Sequence, residues 1–123
     1  MRYMSWVRGN KDYGPPPAAL MAAMAAAGDE QYKSGVMVDT GGLSTLAEGG
    51  GKLTLSGGKI TDGPYSEAKE IVGGYAILNA ESREAAIEGA RWVLEVHKEH
   101  WPEWEGEVEI RQMYTDGGDF PKA

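Results

Sequence analysis

The chain has 123 residues, with 12 basic and 19 acidic side chains, for a formal net charge of −7. That length suits one domain with a real core, and the acidity argues against direct nucleic-acid binding, which needs a basic face. It has no cysteine, which excludes a disulfide scaffold, a thiolate zinc site and a cysteine nucleophile.

No apolar run approaches the roughly 20 residues that span a bilayer, and Met1 to Arg8 lacks a signal-peptide layout. The expected location is cytoplasmic, away from membranes. Of 18 glycines, nine lie between Gly35 and Gly63, so the middle of the chain is rich in turns. From Glu81 onward there are 11 acids and 5 bases, net −6, nearly the whole imbalance.

Residues 2–8, rich in aromatic and apolar types, read as a strand buried on both faces or nearly so. Gly9 to Gly14 is a polar turn. Pro15, Pro16 and Pro17 lead into Ala18–Ala27, which holds seven alanines. Proline suits a first helical turn and alanine is the best helix former, so a helix is predicted from Pro16 to Lys33, stopping at Ser34-Gly35. Leu20, Met21, Met24, Ala27 and Tyr32 fall on one stripe, which reads as a packing face rather than a cofactor groove.

Gly35 to Asp39 is a second short strand, followed by a glycine-rich loop. The run Gly49-Gly50-Gly51 lacks the lysine and following helix of a phosphate loop, which removes nucleotide binding. Lys52–Ser56 and Lys59–Thr61 alternate around Gly57-Gly58 and predict a tight hairpin. Asp62-Gly63-Pro64-Tyr65 closes it, and Ser66–Glu70 reads as one charged helical turn. Ile71 to Ala80 is a strand with Tyr75 and Ile77 on one face, Ala76 and Leu78 on the other.

Ser82 is a good N-cap for a second long helix, with Glu84 near its positive end. Ala86, Ile87, Ala90, Val93, Leu94, His97 and Trp101 form an apolar arc. Ala85, Gly89, Trp92 and Val96 widen it beyond half the circumference, so a second partner besides the sheet is expected, either the C-terminal segment or another subunit. Pro102 ends the helix, and Trp101 and Trp104 read as a helix end folded back over the core. Glu107–Tyr114 is the last strand, alternating Val108 and Ile110 with Glu109 and Arg111. Residues 1–114 form one domain, and 115–123 compose a loose tail.

With the hairpin set aside, the order is βαββαβ, the ferredoxin-like α+β plan. Two helices cover one face of an antiparallel sheet. The other face is bare in one copy, and carrying Trp6, Tyr75 or Ile110 it is expected to pair with a second copy as a homodimer.

Certain stretches carry a family resemblance: Arg2-Tyr3-Met4, Thr61-Asp62-Gly63-Pro64-Tyr65-Ser66-Glu67-Ala68-Lys69-Glu70, Gly73-Gly74-Tyr75 and Val108-Glu109-Ile110-Arg111. On these the chain resembles the YCII-related superfamily, in its DGPF-motif branch. The resemblance implies a dimeric α/β barrel in which two sheets face each other around a cleft, and a regulatory link to extracytoplasmic-function sigma factors. The motif ends in Tyr65 rather than phenylalanine. No histidine precedes His97 onto which the superfamily's His–Asp pair could be carried.

Within that frame Asp62 is the candidate general base, with Tyr65 and Lys69 in polar support and Glu67 beside them. The plain alternative is an aspartate capping a turn before a solvated helical turn. Asp39, at a strand end before Thr-Gly-Gly, is a candidate to share the site, and Trp6 and Tyr75 are candidate cleft residues. His97 and His100 have helical His-x-x-His spacing but point about 60° apart. A packed His97 donating to a backbone carbonyl is favoured over a metal site. No metal and no cofactor is called for. The sequence leaves open whether the chain turns a substrate over. Its two functional readings are a small-molecule site with proton-transfer or lyase-type chemistry, and a non-catalytic regulatory module for a partner such as a sigma factor.

Overall fold

The computed structural model describes residues 1–63 and 71–114. The expected helical turn at Ser66–Glu70, with Tyr65, Glu67 and Lys69, and the tail at 115–123 lie outside the described residues.

The elements run β1 (Arg2–Gly9), α1 (Ala18–Ser34), β2 (Met37–Gly42), α2 (Leu46–Gly49), β3 (Leu53–Ser56), β4 (Lys59–Asp62), β5 (Ile71–Asn79), α3 (Arg83–His100) and β6 (Gly106–Gln112). α1 follows the extended Pro17, which has no side chain to cap the helix, so alanine propensity carries its start. It stops at Gly35, whose φ of 82° is left-handed and whose N–H reaches the Tyr32 carbonyl. α3 is capped by Ser82, whose hydroxyl accepts the Ala85 N–H at 3.1 Å. Short α2 falls where only a loop is predicted. Thr45 caps it by accepting the Glu48 N–H, and Thr-x-x-Glu is the sequence signal that marks it.

β2, β5, β1 and β6 lie in that order in one antiparallel sheet, while β3 and β4 form a separate hairpin. Without the hairpin this is the ferredoxin-like α+β arrangement, with each helix crossing between strands that flank a third. Trp6 sits opposite Tyr75 on one side and Glu109 on the other. The helices cover the face that carries Tyr3, Ser5, Val7 and Gly9. Tyr3 is 3% exposed there, and the Trp104 ring lies against Gly9. Leu20, Val96 and Trp101 form the core, with Tyr13, Ala23, Met24 and Trp104 packed around it.

Several sequence expectations need correction. Ile110 lies opposite Ser5, on the helix face, so it does not share the bare face with Trp6 and Tyr75. β1 is not buried on both faces: Tyr3 and Gly9, on the helix side, are buried, while Met4, Trp6 and Arg8, on the side no described helix covers, are intermediate, as are Ser5 and Val7. On α1 the inward side is Leu20, Ala23, Met24 and Ala27, at i, i+3, i+4 and i+7. Met21 and Tyr32 are 55% and 46% exposed, since a helix this rich in alanine has no steep apolar gradient to orient it. On α3, Ala85, Gly89 and Trp92 are exposed, with no cover among the described residues; the partner expected for this stripe, the C-terminal segment or another subunit, lies outside them. Trp101 and Trp104 do fold back, their rings stacked 6.4 Å apart.

His97 belongs to this packing. Its ring lies 4.5 Å from that of Trp104, and Nδ1 donates to the Val93 carbonyl at 2.8 Å. Burial lowers its pKa from 6.5, against a smaller opposing effect of the Val93 hydrogen bond. The unfolded chain therefore takes up the proton first as pH falls. The stability contributed by neutral His97 is complete above about pH 6.5, is lost as pH drops below it, and levels off beneath the folded value. Urea midpoints at pH 8 and pH 5 are expected to differ less in His97→Gln than in the wild type. Equal differences would show that the ring does not titrate with folding.

Candidate functional site

The face of the sheet opposite the helices, bare among the described residues, is assembled by register. The two-residue period of β1 puts Met4, Trp6 and Arg8 there. Pairing adds Ile77 and Tyr75 from β5, and Arg111, Glu109 and Glu107 from β6. β2 contributes Asp39 and Gly41, opposite Ile77 and Tyr75.

Asp39 reaches this face through a bulge. Met37 pairs with Leu78, and an unbroken ladder would set Asp39 opposite Ala76, on the helix side. The register shift between Met37 and Asp39 sets it opposite Ile77 instead. The Tyr75 hydroxyl then donates to Asp39 Oδ2 at 2.8 Å, while the Thr40 N–H donates to Oδ1 at 2.9 Å. Thr40 also ties back to β5, its hydroxyl donating to the Tyr75 carbonyl at 2.7 Å. Both carboxylate oxygens are thus held in fixed directions. Gly41 makes room for the phenol: a Cβ there would stand 3.0 Å from Tyr75 Cε1.

The bond to Asp39 is the main reason that Tyr75 has a pKa above its usual 10.0, with burial and the charge of Asp39 adding to it. Tyr75 is therefore a hydrogen-bond donor at neutral pH, not a base. Asp39→Asn removes the main cause, so the Tyr75 phenol is expected to titrate closer to 10. A ¹³C-tyrosine NMR titration reads this, and an unchanged value would mean that the bond is not formed in solution.

A ribbon of charge borders the pair. Arg8 lies 3.3 Å from Glu109 and 3.6 Å from Glu107, and Arg111 lies 3.8 Å from Glu109. The Arg111 guanidinium sits 5.6 Å from the centre of the Trp6 ring. Exposed ion pairs of this kind are worth about 0–1 kcal/mol each, so their effect is to orient Trp6 and Arg111 rather than to stabilise the fold. Sequence reasoning singled out Asp39, Tyr75 and Trp6, and the structure brings them onto one face. It did not single out Gly41, Arg8, Glu109 or Arg111. The Glu109/Arg111 alternation was the available signal for the last two.

Asp62 is placed differently. It ends β4 opposite Leu53, exposed, in the hairpin rather than in the sheet that holds Asp39 and Tyr75. Its expected companions Tyr65, Glu67 and Lys69 lie outside the described residues. The histidines are engaged separately, His97 as above and His100 at 3.9 Å from Glu99. Among the described residues no three metal-ligating side chains come together. Two shallow depressions, one at the end of α1 and one between Asn10 and Glu105, are lined by neither Asp39, Tyr75 nor Asp62.

No curated protein matches the chain. A family match spans β1 to α3, and with it the whole Asp39–Tyr75 arrangement: residues 1–103 fit the YCII-related domain, and the chain belongs to that family.

Proposed function

We propose that the chain, a member of the DGPF-motif branch on its Thr61–Glu70 stretch, acts as a homodimer whose facing sheets enclose a small-molecule site. In this reading Asp39 is the base of a proton-transfer step. The observation that carries it is the Tyr75–Asp39 hydrogen bond of 2.8 Å beside Trp6, on the sheet face that no described helix covers. A substrate with an acidic C–H next to a carbonyl fits this pair. Asp39 Oδ2 takes the proton from carbon. Once protonated it no longer accepts from Tyr75, whose O–H turns to the developing enolate oxygen. Trp6 supplies an apolar wall. The hairpin carboxylate of Asp62 is not needed for this step.

The test is a thermal-shift screen with small keto acids. A compound present at 100 times its dissociation constant stabilises the protein by about 2.7 kcal/mol. That shift is expected to vanish in Asp39→Asn, shrink in Tyr75→Phe and persist in Asp62→Ala. A shift lost only in Asp62→Ala returns the base to the hairpin. If no compound shifts the wild type, the regulatory reading takes over, and binding to a purified extracytoplasmic-function sigma factor becomes its test.

A further inference from the structure

We infer that Arg111 binds a carboxylate on the ligand, which narrows the class from carbonyl compounds to keto acids; this rests on the small-molecule reading above. The two arginines of the sheet face are placed for different work. Arg8 has Nη1 at 3.3 Å from Glu109 and 3.6 Å from Glu107, and its side chain is 26% exposed. It is committed to the two glutamates. Arg111 comes to 3.8 Å from Glu109 Oε2, beyond hydrogen-bond reach, and its side chain is 75% exposed. Glu109 already accepts from Arg8 through Oε1. The charge of Glu109 is thus answered by Arg8, and the N–H fork of Arg111 keeps donors for another acceptor.

Trp6 keeps this cation over the face. The guanidinium lies 5.6 Å from the ring centre, so it is held toward the middle of the sheet rather than swung past the β6 edge. Tyr75 stands on the other side of Trp6, across the β1–β5 pair, and leans to Asp39 on β2. The face therefore carries a fixed carboxylate and phenol at one end, a cation at the other and an indole between. β5 and β6 are two strand spacings apart, about 10 Å. Contacts of about 3 Å at each end leave roughly 4 Å, or about three carbon–carbon bonds. A keto acid whose acidic carbon is that far from its carboxylate spans the gap, with its methylenes on Trp6. Charge points the same way. In the proposed homodimer the facing sheet takes Arg111 out of water, and a buried cation is costly unless an anion reaches it. A ligand carboxylate offers two acceptors in the geometry that the guanidinium fork matches.

The probes are 5-oxohexanoate and its methyl ester, titrated into the full chain by calorimetry. Both keep the acidic C–H, the carbonyl and the chain length, and they differ in the charge. The acid is expected to bind about 30-fold more tightly than the ester. Arg111→Gln is expected to raise the dissociation constant of the acid by about 30-fold and to leave that of the ester within about threefold, whereas Asp39→Asn weakens both. Arg111→Lys keeps the charge without the fork and is expected to recover part of the loss. The side chain is mostly exposed, so the fold tolerates these changes, and unaltered ester binding shows that the rest of the site is intact. Equal affinity for acid and ester in the wild type, or an Arg111→Gln variant that weakens both alike, overturns the role of Arg111 and leaves the Asp39–Tyr75 reading standing. A wild type that binds neither probe overturns this inference, and if it also fails the keto-acid screen above, the proton-transfer reading falls with it.

Discussion

Gly106→Ala is expected to lower the unfolding free energy by about 3 kcal/mol, at the upper end of what overpacking a core costs. A Cβ at this position would overlap the Arg8 carbonyl oxygen and the indole of Trp104. Neither neighbour yields easily. The Arg8 carbonyl belongs to the central strand, and Gly106 pairs there with Gly9, against which Trp104 also packs, its Nε1 at 3.0 Å from where a Gly9 Cβ would stand. Trp104 is in turn held against His97 and Trp101. The melting midpoint is expected to fall by about 12 °C for a domain of this size. Gly89→Ala is the control. It lies on the outer side of α3 with nothing within 4 Å, so the gain in helix propensity makes it stabilising by about 0.8 kcal/mol. A loss below about 1 kcal/mol in Gly106→Ala would mean that Trp104 moves aside at little cost.

The parts legible in the sequence are those written in local periodicity. The aromatic and apolar run of β1, the alternation of β5, the alanine run of α1, the Ser82 cap and the Gly57-Gly58 turn each depend on neighbours in the chain, and each element forms where its pattern predicts. What pairing decides was not legible. Ile110 alternates correctly within β6, but only the register against β1 says which face it takes. Asp39 is the sharper case. Its position at a strand end marked it as a candidate, while the bulge that turns it from the helix side to Tyr75 is one extra residue with no signature in Val36-Met37-Val38. The exposure of Met21 and Tyr32 has a similar origin, since alanine fits every face of a helix and leaves the packing partner to choose.

In the proposed homodimer, Trp6→Glu is expected to separate the two copies into monomers. Trp6 stands at the centre of the bare face, flanked by Tyr75 and Glu109 across the two neighbouring strands. A tryptophan at the middle of an interface commonly contributes 2 kcal/mol or more, and a buried unpaired carboxylate costs further, so the dissociation constant should rise about 1,000-fold. Trp6→Phe keeps the apolar face and should keep the dimer. Thermal unfolding gives an independent reading. A dimer that unfolds to two separate chains gains stability with concentration, and its midpoint should rise by about 3 °C per tenfold increase. In Trp6→Glu the midpoint should be lower and independent of concentration. A variant that still sediments as a dimer, or a wild type with a flat midpoint, removes the sheet face from the interface. The monomeric variant also separates two roles of the site. Asp39 and Tyr75 belong to the same chain, so their hydrogen bond survives dissociation and Tyr75 keeps its raised pKa. The facing wall of the proposed dimer would not survive, and with it would go the exclusion of water that gives a carboxylate and a phenol their grip on a small molecule. Loss of ligand binding with the Tyr75 titration unchanged would show that the second copy completes the site.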